Sequence, residues 1–214
     1  KNFDKALINY KKSIEINPDY AEGHNNMGSI LYKLEKFNES IDSYQRAIKI
    51  KPEYAEAYNN LGVTFKELEE LTKSINSYQR AIKINPNYAE AYNNIGNVYN
   101  ANQKIDDAIL NYKKAIKLNS NFAEAYNNLG SLLKEIGKID DAQNCYHKLL
   151  TLKPNDIAYR INKELSISPI VQSIDEINSF RDKYEKGLKS LIKYKYITEK
   201  PGRSIEPNFF HLAY

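Results

Sequence analysis

Tryptophan is absent from this sequence, cysteine occurs once, and glycine and proline are scarce, with 8 and 7 residues among 214. The single cysteine, Cys145, cannot form a disulfide within the chain, which favours a reducing compartment and predicts a cytoplasmic location. No apolar run approaches the roughly 18 residues that a membrane-spanning helix needs, so we expect no membrane span. We expect no signal peptide or transit segment within this sequence, although it begins at Lys1 rather than Met and a targeting segment could precede it.

Side chains that could carry out catalysis are sparse as well. His24, His147 and His211 are too far apart to share a metal ion, and no His/Cys cluster has the spacing of metal ligands. The glycines fall singly, which excludes a phosphate-binding loop. Acidic pairs such as Asp106-Asp107 begin predicted helices, where carboxylates favour the positive end of the helix dipole. We therefore expect no catalytic site, metal or cofactor within this chain.

Charge of one sign is not concentrated either. The formal net charge is +4, and lysines are interleaved with Asp and Glu through most of the chain. Proteins that bind nucleic acids usually gather basic residues into a patch or stripe. We interpret the lysines as solvated helix surface and expect no nucleic-acid partner.

What the sequence does contain is a repeat of 34 residues. Such periods are the signature of solenoid proteins. Prolines mark the period at Pro18, Pro52 and Pro86, and Pro154 follows two periods later, with Ser120 in the missing place. Three more sets of residues keep the same step and phase: Gly28, Gly62, Gly96 and Gly130; Tyr10, Tyr44, Tyr78, Tyr112 and Tyr146; and the pairs Asn25-Asn26, Asn59-Asn60, Asn93-Asn94 and Asn127-Asn128.

Within one period the apolar residues follow helical spacing. In residues 55–88 the first stripe consists of Ala55, Tyr58, Leu61, Gly62 and Phe65, and the second of Ile75, Tyr78, Ile82 and Ile84. A polar stretch at Glu69-Glu70 separates the stripes, and Asn85-Pro86 ends the second one, because proline cannot donate the next backbone hydrogen bond. Each period therefore predicts a hairpin of two helices.

The small residues of the repeat have a mechanical explanation. A glycine inside a helix costs about 0.5–1 kcal/mol relative to alanine, so its recurrence implies a compensating contact. We expect Gly62 and its equivalents to lie where two helices approach closely, with Ala81 and its equivalents doing the same on the second helix. The large tyrosines of the Tyr78 series would fill the space between units.

These positions resemble the tetratricopeptide-repeat consensus, which is carried here by Tyr58, Leu61, Gly62, Phe65, Tyr78, Ala81 and Pro86. The resemblance covers residues 1–156: a half repeat at 1–20 and repeats at 21–54, 55–88, 89–122 and 123–156. The departures are Ser40 and Ser74 in place of alanine, His24 in place of an aromatic residue, and Ser120 in place of proline. The resemblance implies an all-α fold, a right-handed superhelix whose first helices line the concave face.

Concave faces of this kind bind extended peptides, and this one would present asparagine. Asn26, Asn60, Asn94 and Asn128 stand two residues before each repeated glycine, where the family commonly presents a groove-lining Asn. A carboxamide can donate to a C=O and accept from an N–H of a bound strand. The preceding residues, Asn25, Asn59, Asn93 and Asn127, would point partly into the same groove or towards a neighbouring turn.

Two other interpretations of the groove remain open. The asparagines could bond backbone carbonyls between helices, or simply occupy helix surface. Alternatively, the groove could hold a C-terminal carboxylate, with Lys66 and Lys134 as the cations, although Ser29, Val63 and their equivalents leave the other positions uncharged.

Residues 157–195 predict a capping helix followed by a basic amphipathic helix. Ser173 and Glu176 form a capping box for the second helix, whose apolar stripe consists of Ile177, Phe180, Tyr184, Leu188, Leu191 and Ile192. We expect this helix to pack on the solenoid end or on a following domain, with an acidic membrane or another partner as alternatives. Residues 196–214 would begin a truncated domain.

Residues 165–214 also resemble the junction between repeats and catalytic domain in bacterial relatives of the SPINDLY and O-linked N-acetylglucosamine transferase group. The similarity rests on the Ser-Pro-Ile segment, the Ser-Ile-Asp-Glu-Ile-Asn-Ser-Phe-Arg-Asp-Lys-Tyr segment and the final Leu-Ala-Tyr. It implies a repeat array that presents protein substrates to a glycosyltransferase domain beyond Tyr214. The alternative is a stand-alone scaffold or chaperone-type adaptor.

Overall fold

The structure, a computed structural model, describes residues 2–165 and 174–193. Within these residues the chain forms α-helices and no strand, which confirms the predicted all-α fold. The helices are α1 (Asn2–Ile16), α2 (Ala21–Lys33), α3 (Phe37–Ile50), α4 (Ala55–Glu67), α5 (Leu71–Ile84), α6 (Ala89–Ala101), α7 (Ile105–Leu118), α8 (Ala123–Glu135), α9 (Ile139–Leu152), α10 (Ile157–Glu164) and α11 (Ile174–Lys193). The predicted N-cap Ser173 and the predicted domain start at 196–214 lie outside the described residues.

The chain divides into two compact units, Lys1–Asn128 and Leu129–Tyr214. In the first unit, α2 pairs with α3, α4 with α5 and α6 with α7, so each pair is a helical hairpin. Consecutive hairpins pack through α3 on α4 and α5 on α6, and the first helices α2, α4 and α6 also contact one another in order. Helix α1 packs on α2. The first helices thus form one continuous layer of this unit.

The second unit contains the end of α8 and helices α9 to α11. Helix α10 packs on α9 and α11 packs on α10, as expected for a capping helix and a helix stacked behind it. The Asp156 carboxylate caps α10 by accepting from the backbone N–H groups of Ala158 and Tyr159 at 3.0 and 3.2 Å. The predicted apolar stripe of α11 is partly covered: Leu191 is buried, whereas Ile177 and Ile192 are 44% and 65% exposed.

The repeated glycines lie under the repeated tyrosines, as their spacing predicts. A Cβ added to Gly62 would approach Tyr78 Cε1 to 2.6 Å, and one added to Gly28 would approach Tyr44 Cε1 to 2.7 Å. The Tyr78 ring also packs with Ile95 on the next hairpin. A single aromatic ring therefore holds together its own hairpin and the following one, and the absence of a glycine side chain is what admits it.

The turns inside the hairpins follow the Schellman pattern at a helix C-terminus. In the second full hairpin the N–H of Glu70 donates to the Phe65 carbonyl at 2.9 Å, while Glu69 adopts a left-handed φ of 58°. Equivalent turns place Glu35, Gln103 and Gly137 at positive φ. Only the last of these is a glycine, so three turns hold a side chain in a conformation that favours glycine.

The departures from the repeat consensus have local explanations. Ser74 is fully buried, and its hydroxyl donates to the Gly62 carbonyl at 2.8 Å; Ser40 makes the same bond to Gly28. At the position without proline, the Asn119 side chain accepts from the N–H of Asn121 at 3.1 Å, as the Asn85 side chain does from Asn87 in the turn that contains Pro86. The turn therefore keeps the same hydrogen bond with and without proline.

Candidate functional site

The two asparagines of each repeat occupy different environments. Asn25, Asn59 and Asn93 are 1%, 4% and 1% exposed, so the first member of each pair is buried between hairpins in these three repeats. The second members, Asn26, Asn60, Asn94 and Asn128, are half-buried, as is Asn127. The second row therefore retains access to solvent on the layer of first helices.

Hydrogen bonds join the second asparagine of one repeat to the first asparagine of the repeat before it. The Nδ2 group of Asn60 donates to Asn25 Oδ1 at 3.1 Å, and that of Asn94 donates to Asn59 Oδ1 at 3.1 Å. Asn128 Nδ2 donates to Asn93 Oδ1 at 3.0 Å. The side chains thus bond each other across repeats.

Two of the buried asparagines are also held by a carboxylate. Asn25 Nδ2 donates to Glu56 Oε1 at 3.2 Å, and Asn93 Nδ2 donates to Glu124 Oε1 at 2.9 Å. Burial raises the pKa of the phenol of Tyr54, the residue that precedes α4, to about 12. Two of the buried amides between repeats are therefore hydrogen-bonded to a carboxylate of the following first helix.

The side-chain oxygens of the second asparagines are not used by the bonds between repeats. The Oδ1 atoms of Asn60, Asn94 and Asn128 accept no hydrogen bond within the described residues. None of them is among the buried polar atoms without a partner, which in the described part of the chain are His24 Nδ1 and Tyr78 Oη. These three oxygens are therefore accessible, one per repeat, on successive first helices. Asn26 makes no side-chain hydrogen bond in the described chain, in which α2 is the first of the first helices.

A further polar position was not singled out by the sequence analysis as part of this network. Asn97 Oδ1 accepts from Tyr112 Oη at 2.8 Å and from Asn128 Nδ2 at 3.0 Å. The equivalent residue in the first full repeat, Ser29, accepts from Tyr44 Oη at 3.2 Å. Its place one residue after the repeated glycine, facing the repeated tyrosine, is the signal by which the sequence could have identified it.

The two lysines considered for a carboxylate clamp are already engaged. Lys66 pairs with Glu67 at 3.4 Å on the surface of α4. In the second unit, Lys134 Nζ donates to Asn162 Oδ1 at 3.5 Å, and burial lowers the pKa of this amine. Each of the two lysines therefore already contacts a side chain of this protein, Glu67 for Lys66 and Asn162 for Lys134.

Other kinds of site find no support in the described residues. No group of three or more His, Cys, Asp or Glu side chains there is arranged to hold a metal ion. None of the described helices combines the length and the apolar character needed to cross a bilayer.

Solved structures with a similar fold were found by comparison. MamA is 31% identical over 71% of this chain and 89% of its own, with a TM-score of 0.62. YrrB, described as a TPR protein with an unusual peptide-binding site, is 19% identical over 86% of this chain and 91% of its own, with a TM-score of 0.63. PilF of Pseudomonas aeruginosa is 18% identical over 92% and 86%, with a TM-score of 0.72. Among curated proteins no sequence matches.

Family models give the same answer from sequence. The TPR repeat model matches residues 1–35, 28–69, 64–103 and 96–137, and the tetratricopeptide repeat model matches residues 123–156. The matches run without a gap over 1–156, the range that the 34-residue period marks. The chain belongs to the tetratricopeptide-repeat family.

Proposed function

We propose that this repeat array binds an extended polypeptide segment and contacts its main chain through Asn60, Asn94 and Asn128. The observation that carries the proposal is the row of three accessible, unbonded amide oxygens at one-repeat intervals on adjacent first helices. An extended peptide carries an N–H and a C=O at every residue. A row of amides can therefore recognise it with little dependence on side-chain sequence.

Two general considerations support this proposal. Stacked helical repeats form extended surfaces that bind other polypeptides, and the neighbour YrrB is described as having a peptide-binding site. The partner of this chain would be a protein with an accessible unstructured segment. A cytoplasmic location for that encounter remains a prediction from the single cysteine.

The test compares peptide affinities of matched variants. A 12-residue peptide with an acetylated N-terminus and an amidated C-terminus would be selected from a random library on the wild-type chain and labelled for fluorescence polarisation. The variant with Asn60, Asn94 and Asn128 all changed to Ala should weaken its binding about tenfold or more, since one hydrogen bond contributes about 0.5–1.5 kcal/mol. An affinity within about twofold of wild type would refute the amide row.

Stability needs a control, because the same asparagines also join the repeats. Ser40→Ala combined with Ser74→Ala removes two buried hydrogen bonds to glycine carbonyls without touching the amide row. This control should lose stability but keep its peptide affinity. Equal losses of affinity in both variants would mean that the asparagines act only through the fold.

The same peptide separates the amide row from a carboxylate clamp. If the clamp were correct, a free C-terminus would bind at least about tenfold more tightly than the amidated form, because an ionised acceptor roughly doubles the strength of a hydrogen bond. The engagement of Lys66 and Lys134 in other bonds leads us to expect similar affinities for the two forms.

The tail supports a finer proposal: that the array presents protein substrates to a glycosyltransferase domain beyond Tyr214. This rests on the sequence resemblance of residues 165–214, most of which lie outside the described residues. The chain covers 86–91% of the solved chains of MamA, YrrB and PilF. None of these three similar structures is described as a glycosyltransferase. Sequencing the gene past the codon for Tyr214 decides: a stop codon there favours a stand-alone scaffold, and a long α/β continuation favours the transferase arm.

A further inference from the structure

A glutamate and an asparagine one helical turn apart hold each end of a buried amide. Glu56 and Asn60 both project from α4, and Asn25 on α2 donates to the first and accepts from the second. Glu124 and Asn128 at the start of α8 hold Asn93 on α6 in the same way. Residues four apart on a helix share a face, which is why the Glu-x-x-x-Asn spacing can reach one amide from both sides.

The chemistry of a carboxylate sets a direction along this chain of bonds. An ionised carboxylate only accepts hydrogen bonds, whereas a carboxamide has a donating end and an accepting end. Glu56 therefore turns the Nδ2 end of Asn25 towards itself, which leaves Asn25 Oδ1 facing Asn60. Asn60 must then direct its own Nδ2 inwards, and its Oδ1 faces out.

In Asn128 both N–H groups of the side-chain amide are bonded within the protein. Its Nδ2 group donates to Asn93 Oδ1 and to Asn97 Oδ1, both at 3.0 Å. A carboxamide nitrogen has two N–H groups, so both are committed within the protein. The only polar atom that Asn128 can offer a ligand is the oxygen, an acceptor.

We propose that Glu56 and Glu124 are positioning residues that act through Asn25 and Asn93 to turn the oxygens of Asn60 and Asn128 outwards, so that the groove selects the backbone N–H groups of a bound peptide. The inference rests on the proposed function and deepens it. The amide row is polar rather than symmetric: it recognises donors, and a segment with proline or N-methylated residues at the contacted positions is excluded.

Two repeats provide internal comparisons. Asn59 Oδ1 accepts from Asn94, but Asn59 Nδ2 donates to no carboxylate in the described chain. The Asn94 amide is therefore held by Asn59 without a glutamate that fixes the orientation of Asn59. Asn26 has neither kind of bond. We therefore expect the side-chain amides of Asn128 and Asn60 to be the most firmly oriented, that of Asn94 to be less so, and that of Asn26 to be the least.

The first experiment measures orientation without any ligand. Side-chain amide hydrogen exchange, followed by NMR on the full chain, should be about tenfold slower for the hydrogen-bonded N–H of Asn60 than for the N–H groups of Asn26, because Asn60 Nδ2 makes one bond and Asn26 makes none in the described chain. Glu56→Lys replaces the acceptor with a donor, so it should reverse Asn25 and bring exchange at Asn60 close to that at Asn26. Glu56→Gln keeps an accepting oxygen and should retain most of the protection. Exchange at Asn60 that equals that at Asn26 in wild type, or is unaffected by Glu56→Lys, overturns the positioning role.

The second experiment measures selectivity with the selected 12-residue peptide. Replacing single backbone N–H groups by ester oxygens should weaken binding about three- to tenfold at the contacted positions, which is the loss of one hydrogen bond. Thioamides, which weaken the C=O acceptor and strengthen the N–H donor, should leave the affinity unchanged or improve it. In the Glu56→Lys variant, an ester at the peptide position that contacts Asn60 should no longer weaken binding.

The outcomes separate the two proposals. Thioamides that cost as much as esters overturn the donor selectivity while leaving peptide binding intact. If no peptide can be selected, the proposed function fails and the selectivity fails with it, and hydrogen exchange still decides whether Glu56 orients Asn60.

Discussion

Four tyrosines recur on the second helices, each lying on the repeated glycine, but their hydroxyl groups have different surroundings. Tyr44 donates to Ser29 at 3.2 Å and Tyr112 donates to Asn97 at 2.8 Å. Tyr78 is fully buried, and its hydroxyl has no partner among the described residues. The residue of this repeat that is equivalent to Ser29 and Asn97 is Val63, whose side chain has no polar atom to accept the hydrogen bond.

This difference predicts opposite effects of the same substitution. A buried hydroxyl without a partner costs about 1–3 kcal/mol, whereas a satisfied one contributes about 0.5–1.5 kcal/mol. Tyr78→Phe removes an unpaired group from the interior and should stabilise the chain by about 1 kcal/mol. Tyr112→Phe removes a good hydrogen bond and should cost about 1 kcal/mol, so the two variants should differ by roughly 2 kcal/mol.

Urea unfolding, followed by circular dichroism, measures both free energies, with similar m-values as the check that the denatured states are comparable. Hydrogen exchange at backbone amides of α5 and α7 would show whether each change is local, since repeat arrays unfold unevenly. Equal destabilisation by the two Phe substitutions would refute the reasoning, because it would mean that the Tyr78 hydroxyl is satisfied.

A second variant supplies the missing partner instead of removing the hydroxyl. Val63→Ser places at this position the residue that Tyr44 uses. Val63 packs on the apolar cluster around Tyr78, so the substitution loses some burial, but it should be better tolerated with Tyr78 than with Phe at position 78. A double-mutant cycle should give a favourable coupling of about 1 kcal/mol, and a coupling near zero would count against the predicted bond.

Two further predictions concern a turn and the alkaline stability of the array. Glu69→Gly should stabilise the chain by about 0.5–1 kcal/mol in urea unfolding, because the left-handed φ of 58° at this residue suits glycine; Gly137→Glu should do the reverse, and a loss of stability with Glu69→Gly would contradict the argument. Burial raises the pKa of Tyr112 to about 12, so between pH 10 and pH 12 the native state keeps a proton that the unfolded chain has lost. The stability due to this group is therefore complete below about pH 10 and falls by roughly 1.4 kcal/mol per pH unit above it; unfolding at pH 9, 10 and 11 should show a smaller slope in Tyr112→Phe, and an equal slope would refute the assignment.

The helical hairpins could be predicted from sequence because their causes are local. The 34-residue step of glycine, tyrosine and proline marks where helices approach and where they end, and the first helices begin at Ala21, Ala55, Ala89 and Ala123. The close approach predicted for Gly62 is found against Tyr78. The left-handed residue of each turn was less visible, because a glutamate at Glu69 gives no sign of positive φ; the hydrogen bond from Glu70 to Phe65 imposes it.

The asparagine pairs show where sequence reasoning stops. Neighbours such as Asn59 and Asn60 are about 100° apart around a helix, so both could face a groove, and the pattern alone does not say which one is covered. The covering group is the next hairpin, whose own asparagine lies 35 residues later in the chain. Only packing therefore assigns Asn59 to the interior and Asn60 to the accessible row.

The sequence by itself determined the repeat, the helical hairpins, the family and the positions of the eight asparagines, because each depends on residue type at a regular spacing. The tertiary structure decided how those asparagines are arranged: which of them are buried, that the two rows bond each other across repeats, and that Asn25 and Asn93 donate to Glu56 and Glu124. It also showed that Ile192 is exposed and that, among the described residues, the Tyr78 hydroxyl lacks the hydrogen-bond partner that Tyr44 and Tyr112 have. These properties depend on pairs of residues brought together by the stacking of successive hairpins, and for such pairs direction and burial exist only once the neighbouring repeat is in place.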